Sequence, residues 1–518
     1  MKVKNLLFVF MAGLMFASCS KDYLDINTNP NSLTASTPDV IFTGAANRAA
    51  AIISPNETGE YWSGHWTQSS TYIYSSTTFS YTFNNTNFNF WDTWYDVVQD
   101  FQYVINNADA TGIPAFKGPA KVMKAYIFQQ IVDCYGNAPY TDAFKGTGSI
   151  APKFDDQKVI YDSLIVLLDN AITDLRANAF VGTTGSSDIV FKGNTTNWIR
   201  FANSLKLRIL IRQSRVAGRA AYITTEINKA ASSAEGFLAA GQDVRNNPGY
   251  VASTGQTNPI YNNWGYTATG AVQAIARYPK PTTFFFDVLK ANNDTFRLKR
   301  FAYANGGQNN TVSRVGVSLL PEIVANYSGV PYGSTSGYLA QNTSYPGPSF
   351  IIRGEFDRDV IFMTAAESFF LLAEAKQVFP TVTLPGTAQT YYETGVKESF
   401  RVTGASAKYN TTTPAVDVAQ ALLTNGKDLS DWTASPDKLK LIWMQKWIAL
   451  NTYSGLEAWS EFRRTNYPAI PPSVGAPIGQ KLPLRLFYPS TEEASNTANV
   501  KSQGAVDVFT TRIFWDVD

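Results

Sequence analysis

The sequence predicts a mostly α-helical protein in which helical hairpins form a scaffold and long irregular loops, with minor β-hairpins, form a ligand-binding face. Apolar residues recur at spacings of three and four over several segments, which is typical of helices with one buried side. Between these segments lie long tracts rich in Gly, Asn, Ser, Thr, Pro and aromatic residues. Loops of such length in a compact protein are usually functional.

The N-terminal segment predicts export and lipid attachment. Two lysines precede an apolar run over residues 6–16, which has the length of a secretory signal and is too short to span a bilayer. The sequence FASC, ending at Cys19, is similar to a bacterial lipobox. We therefore expect residues 1–18 to be a signal peptide, Cys19 to carry lipid, and residues 19–36 to form a flexible tether. The alternative is an ordinary secretory signal that leaves Cys19 a free thiol.

Four apolar stripes predict the helices of the first half of the chain. They run from Trp91 to Ile105, Met123 to Tyr135, Ile160 to Leu175 and Trp198 to Ile209. Cys134 lies on the second stripe, so we expect a buried small hydrophobe rather than a metal ligand.

The helical pattern resumes in MTAAESFFLLAEAKQ and KLKLIWMQKWIAL. Ala366 and Phe370 are four residues apart, a spacing similar to that of tetratricopeptide repeats, in which a small residue lets two helices approach and Phe fills the groove. The full repeat consensus is absent. The sequence thus predicts a tetratricopeptide-like scaffold of helical hairpins, an α-α superhelix, rather than a strict repeat.

Composition argues against several functions. The net charge is +2 and only 16% of the residues are charged, which does not fit a nucleic-acid-binding surface. Cys19 and Cys134 are the only cysteines, so a lipidated Cys19 would leave no intramolecular disulfide. No segment after the N-terminal one approaches 18 consecutive apolar residues.

The residues of common catalytic sites are scarce, which predicts that the protein is not an enzyme. His65 is the only histidine, so Ser-His-Asp, Cys-His and His-based zinc sites all lack members. Glu355, Asp357 and Asp359 lie close together in RGEFDRDV and could form a glycosidase pair or a calcium site. Because arginines lie among them, charge pairing is the better interpretation.

Aromatic residues in the three long tracts, 56–89, 246–281 and 305–354, predict recognition by stacking. Sugar rings present C–H faces that stack on Trp and Tyr, while neighbouring polar side chains bond to the hydroxyls. A peptide could use the same surface, and packing of single aromatics against the body is the alternative for each of them. The segment YIYSSTTFSYTF could also form a β-hairpin. The candidate ligand-binding residues from these tracts are Trp62, Trp66, Tyr72, Tyr74, Trp264, Tyr266 and Tyr332.

Several motifs in succession resemble the SusD/RagB-like family of outer-membrane nutrient-binding lipoproteins from Bacteroidetes, especially its SusD-like, starch-binding-associating branch. Cys19 is followed by YLDINTNP, and the later motifs keep the order and spacing of the family over nearly the whole chain. These motifs are DCYGNAPYTDAF, NWIRFANSLKLRILIR, AAESFFLLAEA, QKWIALNTYSGLEAWSEFRRTNYP, LPLRLFYPSTEEASN and a terminal IFWD.

The resemblance implies a single domain over residues 37–518, with four tetratricopeptide-like helix pairs beneath a loop-rich ligand face. It implies capture of an oligosaccharide, or in some members a peptide, at the cell surface, and delivery to a SusC-type TonB-dependent outer-membrane transporter. The resemblance adds Trp91 as an eighth candidate ligand-binding residue, because ligand loops in the family lie near the first helix. Calcium occurs in some members, but no site for it is assigned here, and no cofactor is expected. Ser20-Lys21-Asp22 also resembles the signal that places such lipoproteins on the outer face of the outer membrane.

Overall fold

A computed structural model describes residues 36–53, 56–306, 323–405 and 414–517. The predicted signal peptide, Cys19 and nearly all of the tether lie outside the described residues and stay predictions. Helices dominate, as predicted. In the first half they are α1 (Pro38–Ile53), α2 (Glu57–Trp62), α3 (Ser76–Ser80), α4 (Trp91–Asn107), α5 (Lys117–Tyr135), α6 (Gln157–Ala177), α7 (Thr195–Arg212), α8 (Ala220–Ala231) and α9 (Pro259–Trp264). The second half contains α10 (Thr283–Ala291), α11 (Thr295–Phe301), α12 (Ala365–Val378), α13 (Ala388–Thr403), α14 (Ala415–Leu423), α15 (Lys438–Leu450), α16 (Gly455–Thr465), α17 (Ser490–Ser495) and α18 (Thr497–Lys501).

The long helices begin at residues whose side chains accept hydrogen bonds from the first free N–H groups. Asp156 accepts from the N–H groups of Lys158 and Val159 at the start of α6, and Asn194 caps α7 in the same way. Thr364 caps α12. Such caps satisfy donors that have no partner inside the helix, so they fix where each helix starts.

Helices that follow one another in the chain pack together, which is the arrangement expected of helical hairpins. α5 packs against α6, α6 against α7, α12 against α13, and α13 against α14. Ala366 and Phe370 of α12 are both fully buried. Gly395 of α13 lies against Phe370, and a Cβ atom there would come within 2.9 Å of its ring. The small residue and the Phe that fills the groove therefore face each other from two helices, and the predicted scaffold is confirmed.

Charged side chains are buried where α7 meets α12 and α16. The guanidinium of Arg208 donates to both carboxylate oxygens of Glu367, at 2.6 and 2.8 Å. Arg212 binds Glu457 and Glu461. Burial raises the pKa of Glu461, but the nearby cations, first that of Arg464, lower it well below its usual value. These ions are stable only as a set, because removing one leaves another charge buried without compensation.

Short strands pair across the long tracts. They are β1 (Trp66–Gln68), β2 (Val244–Asn246), β3 (Pro279–Pro281), β4 (Ala302–Tyr303), β5 (Tyr345–Pro346) and β6 (Val360–Met363), and each pair, β1–β3, β2–β6 and β4–β5, is antiparallel. The possible hairpin in YIYSSTTFSYTF is wrong. Ser75 instead caps α3 by accepting from the N–H of Thr78, and Tyr81 ends that helix with φ +58°. The one pairing that resembles a local hairpin among the described residues is the bridge between Tyr266 and Val272.

Each helix within the described ranges is too short or too polar to cross a membrane.

Candidate functional site

The three long tracts converge on one face of the scaffold. The pairing of β1 with β3 places Trp66 opposite Pro281 and Gln68 opposite Pro279, which joins the first tract to the second. Hydrogen bonds also hold the third tract to the first, and the N–H of Gly333 donates to Oγ1 of Thr67 at 2.9 Å. The N–H of Ser70 donates to the carbonyl of Tyr338, and the N–H of Ala340 donates to Oγ1 of Thr71, both at 3.0 Å.

Polar side chains fix the loop over residues 69–75 that follows β1. Gln68 is fully buried, and its Oε1 accepts from the N–H groups of Tyr74 at 2.8 Å and Ser75 at 3.3 Å. Oγ of Ser69 accepts from the N–H of Tyr72 at 3.1 Å. Side chains thus accept hydrogen bonds from backbone N–H groups that do not pair with a neighbouring strand, and these bonds fix the positions of Tyr72 and Tyr74.

Tyr72, Tyr74 and Tyr278 form an aromatic surface at this point of convergence. The ring of Tyr278 lies 6.1 Å from the rings of both Tyr72 and Tyr74, at steep angles of 64° and 76°. The guanidinium of Arg277 stands 5.7 Å from the ring centre of Tyr72, and Trp264 lies 6.5 Å from Tyr74. The three tyrosines are half-buried and Arg277 is exposed. We call these five residues the aromatic surface.

The aromatic surface rests on buried groups with shifted pKa values. Burial raises the pKa of Glu57, although the hydroxyl of Tyr74 donates to its carboxylate at 3.2 Å. Lys280 of β3 is fully buried, and its ammonium stands 2.9 Å from the ring centre of Tyr345 and donates to the carbonyl of Ala340 at 3.2 Å. Burial lowers the pKa of Lys280 to about 6. Loss of the charge is the expected response of a lysine whose carbonyl and aromatic partners carry no full negative charge.

The structure brings three of the eight predicted residues together on this surface. Tyr72 and Tyr74 are half-buried, whereas Trp264 is buried, with 9% of its surface exposed. Tyr338, with 38% of its surface exposed, accepts a hydrogen bond from the N–H of Ser70 through its backbone carbonyl.

The other five predicted residues are buried: Trp62, Trp66, Trp91, Tyr266 and Tyr332. Trp62 packs on Trp459 with ring centres 5.0 Å apart, and Trp66 meets Phe350 edge to face at 4.9 Å. Tyr332 packs on Phe79 at 5.5 Å. In the described conformation these rings pack against the body of the protein and support the loops, which is the alternative given for each aromatic in the sequence analysis. Direct ligand contact by any of the eight stays a prediction, and for these five it requires movement of the covering chain.

Trp91 borders a separate groove of about 520 Å³ between the start of α4 and α17. Tyr95 and Phe144 line it, together with Asp92 and Glu492. Burial raises the pKa of Glu492 despite a hydrogen bond from Asn496. This groove is distinct from the aromatic surface, so the structure does not bring Trp91 together with the other predicted residues.

Sequence reasoning missed Arg277, and it missed Lys280 and its contact with the ring of Tyr345. Their signal was weak, because Arg277 is one charged residue in an irregular tract. The alternation in RYPKP could have suggested a short strand that places Tyr278 and Lys280 on the same side, but its prolines argue against one.

Two of the acidic residues of RGEFDRDV, Glu355 and Asp359, are engaged in charge pairs, the interpretation favoured from the sequence. Arg358 lies 3.5 Å from Glu355, and Arg245 of β2 lies 2.9 Å from Asp359. The described residues contain no group of three or more His, Cys, Asp or Glu side chains placed to hold a metal ion.

Comparison with known proteins decides the family. A family model described as SusD-like, "Starch-binding associating with outer membrane", matches residues 30–489. The chain belongs to the SusD-like family. Membership makes it part of a starch-binding, outer-membrane-associated group. No curated protein sequence matches the chain.

Solved structures of SusD homologues share the fold of this SusD-like chain. One from Bacteroides fragilis is 22% identical, with a TM-score of 0.72, and the match covers 93% of this chain and 99% of that one. Another from the same organism is 18% identical, with a TM-score of 0.74 and coverage of 93% and 100%. A chitin-binding SusD homologue from Flavobacterium johnsoniae is 23% identical, with a TM-score of 0.68 and coverage of 92% and 99%. At these identities the likeness establishes the fold.

Proposed function

We propose that this SusD-like protein is a non-catalytic cell-surface lipoprotein that captures oligosaccharides and delivers them to a SusC-type TonB-dependent outer-membrane transporter. The aromatic surface is the observation that supports capture. Its three tyrosines are half-buried and lie beside the exposed Arg277, and the backbone N–H groups of Tyr72 and Tyr74 donate to the side chains of Ser69 and Gln68. Rigid aromatic anchors beside a charged donor suit a ligand that has flat apolar faces and hydroxyl groups.

The angles between the rings bear on the shape of the ligand. Tyr278 is inclined by 64° to Tyr72 and by 76° to Tyr74, so the rings form a corner rather than a flat platform. A chain of sugar rings that turns between residues can touch two inclined rings at once. The chitin-binding homologue supports a glycan as the ligand class.

The N-terminal sequence supports the proposed attachment to the outer membrane. Cys19 would carry the lipid, and residues 19–36 would connect it to α1. Several acyl chains together give stable anchoring, whereas one gives only reversible binding. A tethered domain with an aromatic face can then cover a transporter and release its ligand into it.

The test is ligand binding by purified protein on a glycan array, followed by calorimetry with the glycan that binds. Tyr72→Ala combined with Tyr278→Ala should weaken binding at least tenfold, a loss of about 1.4 kcal/mol that is modest for two central aromatic anchors. Tyr222→Ala is the matched control, since Tyr222 is also half-buried and also lies against an arginine, at 4.1 Å, but on α8. Unchanged affinity in the double variant would refute the assignment of the surface.

The alternatives give different results in the same experiments. Binding of peptides and of no glycan would keep the role in transport but change the ligand. Glycan hydrolysis that Glu355→Gln or Asp357→Asn abolishes would establish an enzyme. Affinity purification from the native outer membrane that returns no large β-barrel protein would refute the partnership with a transporter.

A further inference from the structure

The three long tracts that build the loop face are poor in acidic residues. Together they make up nearly a quarter of the chain, but they hold only three of its 41 Asp and Glu residues: Glu57, Glu60 and Glu322. Residues 246–281 contain none. Because Glu322 lies outside the described residues, the described part of these tracts contains two carboxylates.

Neither of these two carboxylates is exposed. Glu60 is fully buried, and its oxygens contact Nδ1 of His65 and accept from the N–H of Thr452, both at 2.9 Å. Glu57 is half-buried and accepts from the hydroxyl of Tyr74 at 3.2 Å. Burial raises the pKa of Glu57, so it disfavours the charged form of this carboxyl group. The described part of the three tracts therefore presents no exposed carboxylate.

Arg277, in contrast, is exposed on the aromatic surface. Its guanidinium stands 5.7 Å from the ring centre of Tyr72, and no carboxylate among the described residues pairs with it. Lys280 of β3 is buried, and burial lowers its pKa to about 6, so it adds no charge at neutral pH. The guanidinium of Arg277 is thus the exposed charged group of this surface. Its planar fork of N–H donors matches the oxygens of a carboxylate or sulfate group.

A second guanidinium, that of Arg353, lies near the same tract. A Cβ atom on Gly270 would stand 3.5 Å from Nε of Arg353, which places this half-buried side chain beside the turn that follows Tyr266. Burial raises the pKa of Tyr266, and the positive charge of Arg353 opposes that rise. Because Trp264 lies two residues before Tyr266, positive charge borders the aromatic surface on this side as well.

Carboxylates are present on other parts of the surface, so their scarcity is local. Asp92, Asp96 and Glu492 line the separate groove beside Trp91. The acidic segment RGEFDRDV follows the third tract, and arginines lie beside two of its carboxylates. An exposed cation on a face without exposed carboxylates produces a positive local potential, which favours anions and disfavours cations.

The position of Arg277 suits a sugar that carries an anionic group. A carboxylate or sulfate group lies at the edge of a sugar ring. When the flat face of that ring packs on Tyr72, the group at its edge can reach the guanidinium that stands 5.7 Å from the ring centre of Tyr72. We propose that the aromatic surface selects oligosaccharides that carry carboxylate or sulfate groups, and that Arg277 binds the anionic group. The proposal rests on the function proposed above and narrows its ligand class to anionic glycans.

The experiment measures the affinity of the full protein for anionic oligosaccharides and for their neutral counterparts by calorimetry. Oligogalacturonate and hyaluronan oligosaccharides carry carboxylates, and their methyl esters keep the sugar chain without the charge. Carrageenan oligosaccharides carry sulfate, and their desulfated forms are the neutral counterparts. At least one anionic probe should bind about tenfold more tightly than its counterpart, the effect of one charge-assisted hydrogen-bonded pair, and the ratio should fall as salt is raised. The probe that shows this ratio identifies carboxylate or sulfate as the group that is bound.

Variants test whether Arg277 is the source of the preference. The readout is the ratio of the affinities for the anionic and neutral forms, which a general loss of binding does not change. Arg277→Gln should reduce this ratio to under about twofold, and Arg277→Lys, which keeps the charge without the planar fork, should leave part of it. Lys158→Gln removes one positive charge at an exposed position on α6 and should keep the full ratio. A ratio that persists in Arg277→Gln, or that falls equally in Lys158→Gln, would overturn the proposal.

Other outcomes separate this proposal from the proposed function. Equal affinity for the charged and neutral forms, or binding of neutral glycans alone, would overturn the anionic class and leave oligosaccharide capture intact. Polyglutamate that binds as tightly as the anionic glycan, and that also binds when Tyr72→Ala is combined with Tyr278→Ala, would show that charge alone acts and would overturn selection by the aromatic surface. Binding of no glycan at all would overturn both.

Discussion

Replacement of Lys280 by methionine should change how the stability of the protein depends on pH. Lys280 is fully buried on β3, and its Nζ contacts the ring of Tyr345 and the carbonyl of Ala340. Burial lowers its pKa from 10.5 to about 6. Between these two pH values the folded protein holds the lysine neutral, while the unfolded chain binds the proton.

The sign and size of the effect follow from this difference in bound protons. Where the unfolded state binds more protons, the free energy of unfolding rises with pH, by at most about 1.4 kcal/mol per pH unit for one group. The penalty for Lys280 is complete below pH 6 and is relieved as the pH approaches 10.5. Between pH 7 and pH 9 the group should add about 2.5 kcal/mol of stability. Tyr345, whose pKa burial raises to about 12, stays neutral in that range.

The assay is chemical denaturation of the parent and of Lys280→Met at half-unit steps from pH 7 to pH 9. The difference in unfolding free energy, parent minus variant, should rise across the range by that amount. The lost hydrogen bond to Ala340 shifts the difference by a constant and leaves its slope unchanged. Lys158→Met, at an exposed position, should give a flat difference. A flat difference for Lys280→Met as well would show that the lysine stays charged in the folded protein and would refute the reasoning.

Three other predictions concern the scaffold. Arg212→Met removes the cationic partner of the buried carboxylates of Glu457 and Glu461 and should lower the free energy of unfolding by about 3–5 kcal/mol, as measured by chemical denaturation. Arg48→Met, at a half-exposed side chain, should lower it by under about 1 kcal/mol. Similar losses in the two variants would contradict a stabilising role for the buried ion pairs of Arg212. Gly395→Ala should lower the free energy of unfolding by about 1–3 kcal/mol, because the added Cβ would lie 2.9 Å from the ring of Phe370. Gly44→Ala, on α1, should raise thermal stability, because no atom lies within 4 Å of the position of its Cβ. Cys134, buried and with its pKa raised to about 12, should resist iodoacetamide at pH 8 until the chain is unfolded, as measured by peptide mass spectrometry. Labelling in the folded state would refute its burial.

The scaffold could be predicted because its signals are local. The stripe around Met123 and Cys134 is helical and buried as its spacing indicates, and Ala366 with Phe370 packs against a neighbouring helix. The failed hairpin in YIYSSTTFSYTF shows a limit of the same method. Alternation favoured strands, but the capping hydroxyl of Ser75 started a helix, and local capping outweighed a weak alternation.

The ligand face could be predicted only as a region. Trp62 and Trp66 are buried because Trp459 of α16 and the distant loop residue Phe350 pack against them. The sequence near the two tryptophans does not predict these contacts. β1 finds β3 through a pairing between remote parts of the chain, which propensity and periodicity do not reveal. The exposed corner formed by Tyr72, Tyr74 and Tyr278 is a product of that pairing, so it could not be separated in advance from the aromatics beneath it.

The single histidine links the scaffold to the loop face. Nε2 of His65 lies 3.0 Å from the carbonyl of Trp447, which can only accept, so Nε2 carries a hydrogen. Nδ1 lies 2.9 Å from Oε2 of Glu60, and that contact also requires one hydrogen, on either atom. Burial raises the pKa of Glu60, while His65 opposes the rise. One proton therefore joins the two buried side chains, and the other carboxylate oxygen of Glu60 accepts from the N–H of Thr452 in the turn that follows α15. Since His65 immediately precedes β1, this pair ties the start of the aromatic loop to the helical scaffold through one buried contact.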